Sequence, residues 1–183
     1  MDAMTAVAVR PRSLVVLAGL PGAGKSTLLA TVDTGGEPAV VLDSDQVRTK
    51  LRGVFPKAVP YRFYRPLVHF VHRARILWFA ITARGLLLVH EPSTRPTTRA
   101  GLVAVGVLTG RPRHFLWLDA SPEQALSGQV ERGRLIRSRS FDRHVRRAAG
   151  LRARFAAGVP PRGWQGLTLL TRRDHLRLSV TSE

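Results

Sequence analysis

Short apolar runs alternate with longer stretches of helical spacing along most of this chain. The runs lie at 14–18, 39–42, 86–89, 115–118 and 167–170, rich in leucine and β-branched residues and without polar alternation. Strands covered on both faces, as in a parallel sheet, read this way. Between them, apolar residues recur every three or four positions over about 25–32, 44–52, 62–83, 95–108, 121–132 and 141–157. At Ser121, Pro122 and Glu123 a capping side chain precedes a proline at the first helical position. Strand–helix alternation of this kind predicts a three-layer α/β domain with a mostly parallel five-stranded sheet and right-handed crossovers. Residues 1–12 show no period and are expected to form a flexible tail. That leaves 13–183 as a single domain.

At 183 residues with 44% hydrophobic residues, the chain can close one core of ordinary size. It contains no cysteine, which excludes a disulfide scaffold and a thiolate metal site and fits a cytoplasmic setting. No apolar run approaches the ~20 residues of a membrane span, so no membrane association is expected. Residues 10–20 begin like a secretion signal, but the apolar part runs into a glycine-rich turn and Lys25 with no cleavage site.

That turn carries the strongest chemical signal. GLPGAGKST over 19–27 satisfies the spacing G-x-x-x-x-G-K-[ST], directly between a strand pattern and a helical one. Glycines allow backbone N–H groups to turn inward around phosphates. The candidate nucleotide-binding residues are Gly22, Ala23, Gly24, Lys25, Ser26 and Thr27. Lys25 reaches the terminal phosphates, and the Ser26 hydroxyl ligates Mg²⁺. The expected ligands are therefore ATP, or another nucleoside triphosphate, and Mg²⁺.

The second strand ends in VLDSDQVR over 41–48. Carboxylates at the C-terminal end of a parallel strand face the ligand crevice. Asp45 there has the chemistry to take a proton from an attacking hydroxyl, and Arg48, one helical turn on, to hold an anionic acceptor. The alternative is that Asp43 or Asp45 only caps the next helix. The third strand runs into His90, Glu91, Pro92 and Ser93, and Glu91 is the sole acid between Asp45 and Asp119. A carboxylate at that place commonly orients a metal's water shell, and the alternative for Glu91 is a structural pairing with arginine. His90 reads as a packing or hydrogen-bonding residue. His69 and His72 stand i, i+3 without a third ligand nearby in sequence, and Trp78 and Phe79 read as core.

The charge sharpens this picture. There are 29 Lys+Arg against 12 Asp+Glu, a net charge of +17, and only Lys25, Lys50 and Lys57 are lysine. Codon usage in a GC-rich genome explains such a total as well as a phosphate-binding role does, so position has to decide. Residues 46–118 hold thirteen basic residues and one acid, and 132–154 hold nine arginines and one acid. A solvated surface normally intersperses the signs. One-signed stretches predict an anionic partner opposite them.

GLPGAGKST paired with a strand ending in DSDQVR resembles the small P-loop kinases of the polynucleotide kinase, zeta toxin, gluconate kinase and chloramphenicol phosphotransferase group, small AAA-type ATP-binding proteins. The resemblance covers roughly 13–155. It implies a P-loop NTPase fold with an arginine-rich helical lid at about 132–141, whose Arg132 and Arg134, with Arg137 as a further candidate, close over the phosphates. It implies Asp45 as the base toward the acceptor hydroxyl and Arg48 on the acceptor side. Lys25, Asp45 and Arg132 are then the catalytic set, with Glu91 on the metal through water. The implied activity is transfer of the ATP γ-phosphoryl group to a hydroxyl of an anionic acceptor, either a polynucleotide 5′ end or a small metabolite. Relatives more often carry aspartate followed by Thr-Asn at the Glu91 position, and arginine at Gln129. Those departures keep open an acceptor-free P-loop ATPase. Thr171-Arg172-Arg173-Asp174 loosely echoes a guanine-reading pattern, which keeps open a GTPase-like switch.

Overall fold

The computed structural model describes residues 3–56, 58–131, 133 and 138–181. Every apolar run becomes a strand of one all-parallel sheet. β2 (Leu14–Gly19), β3 (Ala39–Asp43), β4 (Leu86–His90), β5 (Arg113–Leu118) and β6 (Gly166–Leu170) lie in the order β3-β4-β2-β5-β6. All six residues of β2 are buried, as a central strand covered on both faces must be. Its neighbours are β4 on one side and β5 on the other, so the loop leaving β2 sits mid-sheet.

The helices follow their patterns closely. α1 is Lys25–Ala30, α2 Ser44–Val54, α3 Tyr61–Thr82, α4 Pro96–Leu108, α5 Pro122–Glu131 and α6 Ser138–Ala156. α3 buries Tyr64, Val68, His72, Ile76 and Ala80 at a strict four-residue spacing. Phe79 packs on the core as expected of it, whereas Trp78 points to solvent with Phe63, Phe70 and Ile81. Among the described residues no helix is long and apolar enough to cross a membrane.

The N-terminal segment differs from the tail expected of it. β1 (Ala3–Val9) pairs in parallel with β7 (Asp174–Val180), from Ala3 opposite Asp174 to Val9 opposite Val180. Val7 and Val9 bury against the core together with Leu176 and Leu178. Buried Val7 and Val9 alternate with exposed Met4, Ala6 and Ala8, so both faces of β1 are apolar and no polar contrast marks the strand. Its partner lies at the far end of the chain, so no local signal announces the pairing.

One arginine is structural. Arg111 is almost wholly buried and bonds only to carbonyl oxygens: Ala80 at 2.8 Å, Arg12 at 2.7 Å, Gly85 at 2.9 Å, Phe79 at 3.4 Å, and Ala83. It thereby caps the C-terminus of α3, where free carbonyls favour a cation, and ties it to the turns before β2 and β4. Arg111→Met should cost about 3 kcal/mol in urea unfolding, because several buried acceptors lose their donor at once. An unchanged midpoint would count against this role.

Candidate active site

The loop between β2 and α1 is shaped by backbone that side chains could not adopt. Gly22 and Gly24 have φ of 92° and 105°. A Cβ on Gly22 would lie 2.0 Å from the carbonyl oxygen of Ala125, and one on Gly128 would lie 2.3 Å from that of Gly22. α5 therefore rests directly on the loop, glycine against glycine. Gln129, buried beside this contact, donates to the Pro21 carbonyl at 3.1 Å. The residue that breaks the resembled lid pattern thus braces the phosphate loop.

Lys25 is buried, with its ammonium donating to the Gly19 and Leu20 carbonyls at 3.0 and 2.8 Å. The loop holds its own cation over the cradle. Ser26 Oγ donates to Asp43 Oδ2 at 3.3 Å. Asp43 is also the N-cap of α2, its Oδ1 accepting from the Asp45 N–H at 2.8 Å. His90 Nδ1 lies 2.7 Å from Asp43 Oδ2. Burial pushes the Asp43 carboxyl up, but His90, the Asp45 N–H and Ser26 outweigh it and hold the pKa at about 2. Asp43 is the residue that sequence reasoning undervalued. It caps the helix, and it also faces the Ser26 hydroxyl.

Glu91 and two histidines lie beside this carboxylate. Burial raises the Glu91 pKa against the pull of Arg73 and Lys25, and Asp43 raises it further. His72 Nε2 stands 3.7 Å from Glu91 Oε2, too far for a hydrogen bond, and both ring nitrogens are buried without a partner. Burial, with Arg75, His90 and His69, pushes His72 down to about 4 despite Asp43. His90 is lowered as well, by burial and Lys25, against the pull of Asp43. Both imidazoles are neutral near pH 7. After Glu91 the chain turns through Ser93 at φ 50°, whose carbonyl and that of Thr94 accept from Arg99 at 2.8 and 2.9 Å.

Asp45 in the first turn of α2 and Arg48 one turn on lie 4.0 Å apart, and the Arg48 guanidinium lies 4.3 Å over the Tyr61 ring. Lys25, Ser26, Asp43, Glu91 and Asp45 are thus collected at the C-terminal ends of β2, β3 and β4, where open α/β sheets bind ligands. Thr27 is in the first turn of α1, its N–H on the Gly24 carbonyl at 3.0 Å. Arg132, Arg134 and Arg137 lie outside the described residues.

Ser26 and Asp43 offer a hydroxyl and a carboxylate, the hard oxygen donors that Mg²⁺ takes together with phosphates. Among the described residues no three His, Asp or Glu side chains converge to hold a metal by themselves. The donor set fits an ion that arrives with a nucleotide.

A family model described as AAA domain matches residues 14–157. No curated protein matches the chain. Among solved structures, the Pnkp1/Rnl/Hen1 RNA repair complex aligns at 19% identity over 80% of this chain and 47% of that one, with a TM-score of 0.60. A putative kinase from Chloroflexus aurantiacus aligns at 14% over 87% of each chain (TM-score 0.59), and the Deinococcus radiodurans tunicamycin resistance protein at 16% over 86% of each (0.53). At these identities the likeness is one of fold.

Two outcomes test the site geometry. Gly128→Ala should weaken nucleotide binding at least about tenfold, since its methyl collides with the loop backbone. Gly150→Ala, in α6 with open space around it, should leave binding unchanged and add up to about 1 kcal/mol of stability. Equal nucleotide affinity in both variants would refute the contact. The neutral histidines set a pH dependence. His72 binds a proton near pH 6.5 when unfolded but only near 4 when folded, so stability is full above 6.5 and falls as pH drops toward 4. Urea unfolding should lose about 2–3 kcal/mol between pH 7 and 4.5, and His72→Gln should flatten that slope. A profile flat in the wild type would contradict the burial of a neutral ring.

Proposed function

The chain belongs to the AAA domain family and has a P-loop kinase fold, and on that premise we propose that it transfers the γ-phosphoryl group of ATP to a hydroxyl of an anionic acceptor. The observation that carries this reading is the convergence of Lys25, Ser26, Asp43, Asp45 and Glu91 beside the glycine loop at the strand ends.

In this reading the loop N–H groups and Lys25 hold the β- and γ-phosphates. Ser26 and Asp43 would hold Mg²⁺, with Glu91 reaching it through water, and the bound ion supplies charge neutralisation between the phosphates. The acceptor oxygen bonds to the γ-phosphorus while the bond to the β,γ-bridging oxygen breaks and ADP leaves. The hydroxyl proton passes to the Asp45 carboxylate, and Arg48 positions the acceptor. Arg132 and Arg134 offset the charge spreading over the transferred group, an effect worth powers of ten in rate.

Two observations favour an acceptor-using enzyme over the alternatives. Gln129 has a structural task at the loop, so its replacement of a lid arginine does not by itself signal a lost activity. Asp174, at the place of the guanine-reading pattern, accepts from the Thr171 N–H and hydroxyl and from Thr5. A turn and a strand pairing occupy it.

Asp45→Asn should lower kcat by about 10²-fold or more while ATP affinity stays within about twofold. The comparison variant is Glu91→Gln. Turnover retained in Asp45→Asn but lost in Glu91→Gln would move the base to Glu91. ATP hydrolysis that no hydroxyl compound stimulates would replace the kinase reading with an ATPase.

A further inference from the structure

Three arginines converge where no carboxylate meets them. Arg95 from the N-terminal edge of α4, and Arg143 and Arg147 from α6, line an open cleft of about 420 Å³ with Pro96 and Thr97. Among the described residues no acid pairs with any of the three. Arg143 and Arg147 stand i, i+4 on one helix, a spacing at which like charges destabilise by a few tenths of a kcal/mol. Among the described residues no carboxylate or carbonyl holds these three, whereas Arg111, Arg99 and Arg152 are each held by carbonyls or by Asp119.

The cleft is not remote from the phosphate loop. His144, between Arg143 and Arg147 on α6, lies 2.7 Å from Thr94 Oγ1. It is pushed down to about 4 by burial and then by Arg147, Arg95, Lys25 and Arg143. One imidazole therefore senses the cleft arginines and the loop lysine together. A second, more enclosed pocket of about 230 Å³ adjoins it through the shared Thr97. Arg73 and Glu91 supply its charges, with Ile76, Leu102 and Val105 as apolar wall. Glu91 directly follows β4, whose C-terminal end lies beside that of β3 with His90 opposite Asp43, so this pocket borders the strand ends.

We propose that the Arg95–Arg143–Arg147 cleft is the acceptor's anion subsite, that it takes a phosphomonoester group, and that the acceptor is a small hydroxyl-bearing phosphomonoester whose body fills the Glu91 pocket. This rests on the kinase reading above and names its substrate class. Guanidinium forks match a phosphate dianion in geometry as well as charge. A 230 Å³ pocket has room for roughly seven or eight water-sized atoms, which suits a short polyol or sugar fragment and not a stack of bases. The acceptor hydroxyl would then enter from the Glu91 end and its phosphate would remain in the open cleft.

The test uses the full chain loaded with Mg²⁺ and a non-hydrolysable ATP analogue, so that the phosphate loop is filled. Inorganic phosphate, then a panel of phosphorylated three- to six-carbon polyols, is titrated by calorimetry. Arg143→Gln/Arg147→Gln should weaken phosphate binding at least tenfold, with analogue affinity unchanged within twofold. Arg146→Gln, an exposed neighbour that removes one such charge outside the cleft, should leave both unchanged. Equal phosphate binding in the double variant overturns the subsite. A parallel loss of analogue affinity overturns it too, assigning the arginines to the nucleotide. Tighter binding of a 5′-hydroxyl oligonucleotide than of any panel member, with a steep salt dependence, overturns the small acceptor. Because binding is read without turnover, a failed kinase reading shows separately: phosphate binds as expected but no panel member is phosphorylated from ATP.

Discussion

The Asp43 carboxylate is the interaction on which the site depends. It ends β3, caps α2, receives the Ser26 hydroxyl and sits against His90 at the end of β4. Two strand ends, the start of α2 and the phosphate loop are therefore registered on one pair of oxygens. An acid in such a place would normally be driven toward its neutral form, and a neutral carboxyl could not serve all these donors. The contacts reverse that tendency and keep it ionised near pH 7. Because α2 starts on Asp43, the direction of Asp45 and Arg48 is inherited from it. The geometry proposed for proton transfer is set by an acid that takes no part in the transfer.

The strands and the phosphate loop were legible because their signals are local. An apolar run bounded by glycine or charge is a buried strand wherever it falls, and GLPGAGKST needs only its flanking elements. What was not legible depends on partners far away in sequence. β1 pairs with residues more than 160 positions later. Gln129 looked like a lost lid residue until α5 was placed on Gly22. Asp43 and Asp45 were indistinguishable by spacing, since either could cap the next helix. The structure ends β3 on Asp43, makes it the cap and places Asp45 in the first turn of α2. Trp78 follows the same logic: its helix is amphipathic in an unusual way, with large apolar side chains on both faces, so hydrophobicity alone could not say which side faces the core.

The net charge of +17 resolves into different kinds of arginine once each has an address. Arg111 and Arg99 act as polydentate donors to carbonyls at helix ends and strained turns, a task for which a planar fork with five N–H groups suits and lysine does not. Arg113 reaches the Gly163 carbonyl in the same manner. These uses would be unchanged if the protein bound no anion at all. Codon usage therefore cannot be the whole account even of the structural share, since the fold exploits the side chain's geometry.

Arg95, Arg143 and Arg147 are a different kind, gathered around one cleft. Arg111, Arg99 and Arg152 each find a carbonyl or a carboxylate. Three cations gathered in one concavity raise the electrostatic cost of each other, and burial, aided by the same field, pushes the His144 pKa down to about 4. That cost falls when a dianion enters the cleft, so the arrangement favours occupancy. Glu91 sits in the mirror-image condition, a half-buried acid whose pKa is raised by burial, on the wall of the adjoining pocket. A single molecule with a phosphate at one end and a hydroxyl at the other would relieve both. The two strained electrostatic environments thus specify complementary ends of one acceptor, and Thr97, shared by both walls, marks where its middle must pass.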